Sequence, residues 1–111
     1  MKTIVITRKY WGRNCLRSKS GMRCCLGFAA EAYGVSPANT ACVGMPSSLP
    51  AQKSFLPEWL KLSANEDGTT ADVQLASAIN DSQDMIDAEK EKQLKEIFLK
   101  HKIRLVFRGT R

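Results

Sequence analysis

A run of small and apolar residues from Gly21 to Gly34, bounded by glycines and carrying the adjacent Cys24 and Cys25, is the stretch on which any fold of this chain must close. Cys25, Phe28, Ala29 and Ala32 recur at spacings of three and four, which predicts a short helix with those four residues on its core side. Gly34 stands where a left-handed helix terminator is expected. Gly27 disfavours the helix it sits in, so its expected role is to admit another backbone at close range. Neighbouring residues point about 100° apart on a helix. One thiol is therefore expected in the core and the other nearer its boundary.

The chain has 111 residues, a hydrophobic fraction of 43% and few aromatics, which fits one compact domain over 1–111 with a modest core. Its charge is unevenly placed. Residues 1–25 hold seven basic and no acidic residues, 26–88 two basic and eight acidic, and 89–111 eight basic and three acidic. If the ends meet in space, a basic pole faces an acidic waist, an arrangement that can steer a polyanion. Met1 to Thr7 turns polar too soon for a signal peptide, and no run approaches the roughly 20 apolar residues of a membrane span. Cys15, Cys24, Cys25 and Cys42 are therefore expected as reduced thiols in a cytoplasm, with no membrane partner.

Thr3 to Thr7 is rich in β-branched residues and reads as a strand with Ile4 and Ile6 on one face. Ile103 to Arg108 alternates, with Ile103, Leu105 and Phe107 inward and Arg104 and Arg108 outward. Between them, Leu16 anchors a basic loop and Ser36 is expected to cap a turn begun by Pro37. Pro57 starts a turn whose Trp59 and Leu60 close the core, and Asp67-Gly68 marks a loop. Thr70 or Asp72 is expected to cap a helix with Val73, Leu75, Ala76 and Ile79 inward, stopped by Asn80-Asp81-Ser82. Asp84 is expected to cap a long helix, Met85 to Lys100, whose stripe is Ile86, Lys90, Leu94, Ile97, Phe98 and His101, with Lys90 at the stripe's edge. The expected class is α+β: a small two-stranded sheet from the N- and C-terminal strands packed against about three helices. Such a sheet leaves open edges, which permit a homodimer.

Chemistry is sparse. Arg13 to Gly21 holds cations and hydroxyls that suit a phosphate, but lacks the glycine and lysine-hydroxyl spacing of a nucleotide-binding loop. A thiol at the start of the central helix would need His101 as its base, and nothing in the spacing brings the two together. Four cysteines and a histidine suffice for zinc in number but not in spacing. Asn80, Asp81 and Asp84 could hold Mg²⁺, although turn and cap hydrogen bonds give them a simpler role. The expectation is a protein that is not an enzyme and carries no metal or cofactor.

Leu16-Arg17, Gly21, Cys24-Cys25-Leu26-Gly27-Phe28, Gly44-Met45-Pro46, Leu49-Pro50, Trp59-Leu60 and Asn80-Asp81 together resemble a family of small bacteriophage and prophage proteins. In that family an arginine-rich loop and a Gly-x-x-Cys-Cys-Leu-Gly segment precede a Leu-Pro segment and a later Asn-Asp pair. The likeness runs from about residue 8 to residue 107, with departures at Phe28 and Glu31. It implies a setting, the cytoplasm of a bacterial host, and no reaction. Two functions are then expected. One is an accessory factor that binds and modulates a host protein or defence complex. The other is a DNA or RNA binder. For either, the expected contact residues are Arg8, Lys9, Trp11, Arg13, Arg17, Lys19, Arg23, Arg104 and Arg108, with Tyr10 or Trp11 stacking on a base or else Trp11 covering the core.

Overall fold

The computed structural model describes all 111 residues. Strand β1 (Lys2–Thr7) pairs with β2 (Ile103–Arg108) in parallel, so the two ends of the chain form the sheet and everything else is the crossover between them. The register sets Ile4 against Leu105 and Ile6 against Phe107, all buried, while Thr3, Val5 and Thr7 stand against Arg104, Val106 and Arg108 on the other face. The expected inward and outward sets hold on both strands. A parallel pair cannot be closed by a hairpin, and here the long crossover supplies the helical layer.

Three helices of more than one turn build that layer: α1 (Cys25–Ala32), and then, beyond the four-residue turns α2 (Pro37–Thr40) and α3 (Glu58–Lys61), α4 (Asp72–Asp81) and α5 (Asp87–Lys100). Helix α1 packs between β1 and α4, and α5 packs on β2 and on α4. The class is α+β, as the pattern of terminal strands and intervening periodic segments predicts. No helix is long and apolar enough to cross a membrane.

Gly27 explains how α1 enters this layer. A Cβ built there would lie 1.8 Å from the backbone oxygen of Leu16, so the basic loop and the helix touch backbone to backbone. Leu16 itself is fully buried, and Gly34, at φ 100°, ends the helix in the left-handed region. Burial around α1 is wider than a single stripe. Leu26 and Ala30 are enclosed along with Cys25, Phe28 and Ala29, whereas Ala32, expected inside, is exposed. Both Cys24 and Cys25 are buried, because the loop covers the side on which a boundary thiol was expected.

Several helix boundaries differ from the expected ones. Helix α4 starts after Ala71, not after a capping Thr70, and the Ala71 amide donates to Gln74 Oε1 at 3.4 Å. Asp72 lies inside the first turn and holds the far end of α5 instead. Leu75, expected inward, is exposed, and Asn80 and Asp81 belong to the helix they were expected to stop. Helix α5 begins at Asp87, two residues later than Met85, so Asp84 caps nothing and Ile86 stays exposed. Ser36 precedes Pro37 at the start of α2 but makes no cap bond through its side chain.

Candidate functional site

The expected contact residues separate into two groups. Arg8 makes a two-pronged ion pair with Glu91, its Nε and Nη2 at 2.9 and 2.7 Å from the two carboxylate oxygens. Arg17 makes the same kind of pair with Glu31, and Arg23 lies 3.7 Å from a Glu31 oxygen with its guanidinium over the Phe28 ring. These three arginines are half-buried and hold the basic loop to α1 and α5; their charge is spent inside the fold. Trp11 is 1% exposed and its ring packs on Phe107 at 4.9 Å, so of its two expected roles it takes the core-covering one and is closed to a base. Tyr10 is exposed, with Lys9 near its ring.

Lys9, Arg13, Lys19, Arg104 and Arg108 are exposed and have no carboxylate partner. Of these, Arg104 and Arg108 share the open face of the sheet with Val5 and Val106 between them, flanked by Thr3 and Thr7. No acid stands on that face. Residues 2–7 and 103–108 exchange no backbone hydrogen bond with any other segment, so the outer edge of each strand is free.

The residue that sequence reasoning missed is Asn80. It is 1% exposed and all four of its side-chain hydrogen-bonding positions are used. Its Oδ1 accepts from the Trp11 indole at 2.7 Å and from the Cys25 amide at 2.9 Å. Its Nδ2 donates to the Gly12 carbonyl and to Asp81 Oδ1, each at 3.0 Å. The Cys25 amide is one of the donors that a helix start leaves open, and Cys24 caps it with no side chain. Asn80 thus caps α1 from another helix. Asp81 continues the junction by accepting from the Asn14 amide at 3.0 Å, where Asn14 itself holds φ at 73°. The Asn80-Asp81 pair therefore tethers the basic loop, and its side chains are committed to amide and indole partners.

Lys90 completes this junction. Far from the edge of its stripe, it is 4% exposed, and its Nζ donates to the Asn80 carbonyl at 3.0 Å. Burial, with repulsion from Arg13 and Arg111, pulls its pKa below the usual amine value.

The two central thiols are arranged for packing. Burial pushes Cys24 up to about 12 and Cys25 well above the ordinary thiol value, which keeps both protonated at neutral pH. His101 is stacked flat on Trp59 at 4.1 Å and bound to Asp72 Oδ2 at 2.8 Å, so its partners are an aromatic and a carboxylate on α4. No three His, Cys, Asp or Glu side chains converge in a way that suits a metal ion.

Comparison with family models, with curated proteins and with solved structures finds no match.

Proposed function

We propose that this is a non-catalytic accessory factor, of phage or prophage setting, that attaches to a protein of its bacterial host and modulates it. The observation that carries the reading is the sheet. Its open face offers a Val5–Val106 centre between Arg104 and Arg108, and its two outer edges have no partner within the chain. An open strand edge is a template for an extended segment of another protein, and a cationic, acid-free face selects an acidic one. The internal pairing of Arg8, Arg17 and Arg23 removes three cations from the surface that a polyanion would need. The phage setting rests on the resemblance carried by Cys24-Cys25-Leu26-Gly27 and its neighbouring blocks, and the cytoplasmic one on four free thiols.

A second reading, binding of DNA or RNA, draws on Arg104 and Arg108 together with the unpaired Lys9, Arg13 and Lys19. Fluorescence anisotropy of short labelled single- and double-stranded DNA and RNA, at about 50 and 200 mM salt, separates the two. The protein-binding reading expects no binding of DNA or RNA even at about 50 mM salt, whereas affinity that collapses between the two salts supports the second reading. The protein-binding reading also expects capture of one acidic host protein at about 200 mM salt, lost when Val5→Lys or Arg104→Glu/Arg108→Glu is introduced. Tight nucleic-acid binding abolished by the arginine pair of substitutions would replace it with the second reading. Sedimentation of the free protein reports whether a second copy occupies the edge.

A further inference from the structure

A cleft of about 410 Å³ opens beside the Asn80 junction, walled by the Ser82–Met85 link, the first turn of α5, the turn after Trp11 and Arg111. It contains none of the residues of the open sheet face. Three cations line it: Arg13, Lys90 and Arg111. Lys90 is the unusual one. Its ammonium is enclosed, makes a single hydrogen bond, to the Asn80 carbonyl, and has no carboxylate within ion-pair distance.

That carbonyl sits in the last turn of α4, whose negative end suits a cation. It accounts for one of the three donors of the ammonium and leaves two without a partner in the chain. Arg13 makes no hydrogen bond or ion pair at all within the chain, and it lines the same cleft. Arg111 is held in place by Asp87 at 2.7 Å and by a hydrogen bond to the Trp11 carbonyl. The lining side chains therefore carry three positive charges against the single carboxylate of Asp87, while Asp81 accepts from the side-chain amide of Asn80 and the backbone amide of Asn14. A lysine this far from solvent, with no carboxylate at ion-pair distance and only the longer-range attraction of Asp87 and Asp81, is costly to keep. A fold that keeps one beside a solvent-open, cation-lined cleft is arranged for an anion from outside.

We propose that this cleft binds a phosphate dianion, free or as the terminal group of a phosphomonoester, with its oxygens on Lys90 Nζ and the Arg13 guanidinium and near the Ser82 hydroxyl. Lysine and arginine together suit phosphate because they supply several charge-assisted donors to an ion with many acceptor positions. The cleft exceeds the size of phosphate alone, so the phosphomonoester is the tighter ligand.

The test is calorimetric titration with inorganic phosphate, ribose 5-phosphate and, at matched ionic strength, sodium chloride. Saturable binding is expected for both phosphates, tighter for ribose 5-phosphate, with no heat of binding for chloride. Arg13→Met, at an exposed position that holds no internal contact, is expected to weaken ribose 5-phosphate about tenfold, as fits the loss of a charge-assisted bond. Lys90→Met is expected to abolish it, with circular dichroism checking the fold. Inorganic phosphate binding as tightly as the ester would assign the site to the free ion. Absence of saturable binding by either phosphate, or unchanged affinity in Arg13→Met, would overturn the proposal. Arg104→Glu/Arg108→Glu should bind ribose 5-phosphate like the parent protein, which keeps this test independent of the sheet-face reading.

Discussion

The indole N–H of Trp11 donates to the side-chain oxygen of Asn80 at 2.7 Å, and the same oxygen accepts the first amide of α1 at Cys25. One buried amide thus fixes the end of the basic loop, the start of one helix and the last turn of another. Asn80→Leu leaves the indole, the Cys25 amide and the Gly12 carbonyl without their partner, and each such buried group costs about 1–3 kcal/mol. The expected loss is about 3 kcal/mol or more, read as a lower urea midpoint. In a cycle with Trp11→Phe the two losses should couple by about 1 kcal/mol; strict additivity would show that the bond carries nothing.

Gly27 and Gly44 give a matched pair of alanine tests. At Gly27 a methyl group would strike the Leu16 carbonyl oxygen, whereas at Gly44 it meets nothing within 4 Å. Gly27→Ala is expected to cost about 3 kcal/mol or to prevent folding, because the neighbour is backbone and cannot step aside. Gly44→Ala should fall within about 0.5 kcal/mol of the parent in the same denaturation experiment.

The four thiols should label in sequence. Cys42 is exposed, Cys15 is half-buried, and Cys24 and Cys25 are enclosed. A disulfide exchange reagent at neutral pH is expected to react fast with Cys42, slower with Cys15, and with the central pair only at the rate of unfolding. Cys42→Ser should abolish the fast phase. Prompt reaction of Cys24 in the native protein would contradict the burial that raises its pKa to about 12.

Asp72 gives the fold an acid-sensitive contact. Burial alone would raise its pKa, but hydrogen bonds from His101 and Lys100 outweigh that and hold the carboxyl below its ordinary 3.8. A depressed carboxyl stabilises the fold above its unfolded pKa, and the contribution fades as pH falls through the lower native value. Asp72→Asn should therefore cost about 0.5–1 kcal/mol near pH 7, a modest figure for a pair this exposed. The gap between variant and parent should shrink below about pH 3.5, as urea titrations at the two pH values will show.

The sequence made the sheet legible because Ile4, Ile6, Ile103, Leu105 and Phe107 alternate without interruption. It made Gly27 legible because a glycine inside an apolar run has few other uses. Strand direction was not legible: alternation is the same for parallel and antiparallel pairing. Asn80-Asp81-Ser82 has the composition of a helix stop, and only the arrival of Trp11 and Cys25 from a distant part of the chain turns Asn80 into a buried hub. Likewise Glu31 and Glu91 lie 14 and 83 residues from the arginines they neutralise, so the basic loop looked more available to a polyanion than it is. Lys90 sat on an apolar stripe as a misfit, and that misfit was the one signal of the cleft that the sequence carried.

Parallel pairing of residues 2–7 with 103–108 also governs when this protein can exist. During synthesis β1 is made well before its mate, with the whole helical crossover coming between them, and until then it is an apolar ribbon without a partner. Helices α1 and α5 both depend on that sheet for their floor, so no half of the chain has a finished core to rest on. Folding must wait for a contact between distant ends, a late and slow closure by the logic of sequence separation. Until then the nascent chain exposes Ile4 and Ile6, and whatever guards nascent chains in the cell must hold it while the crossover is made.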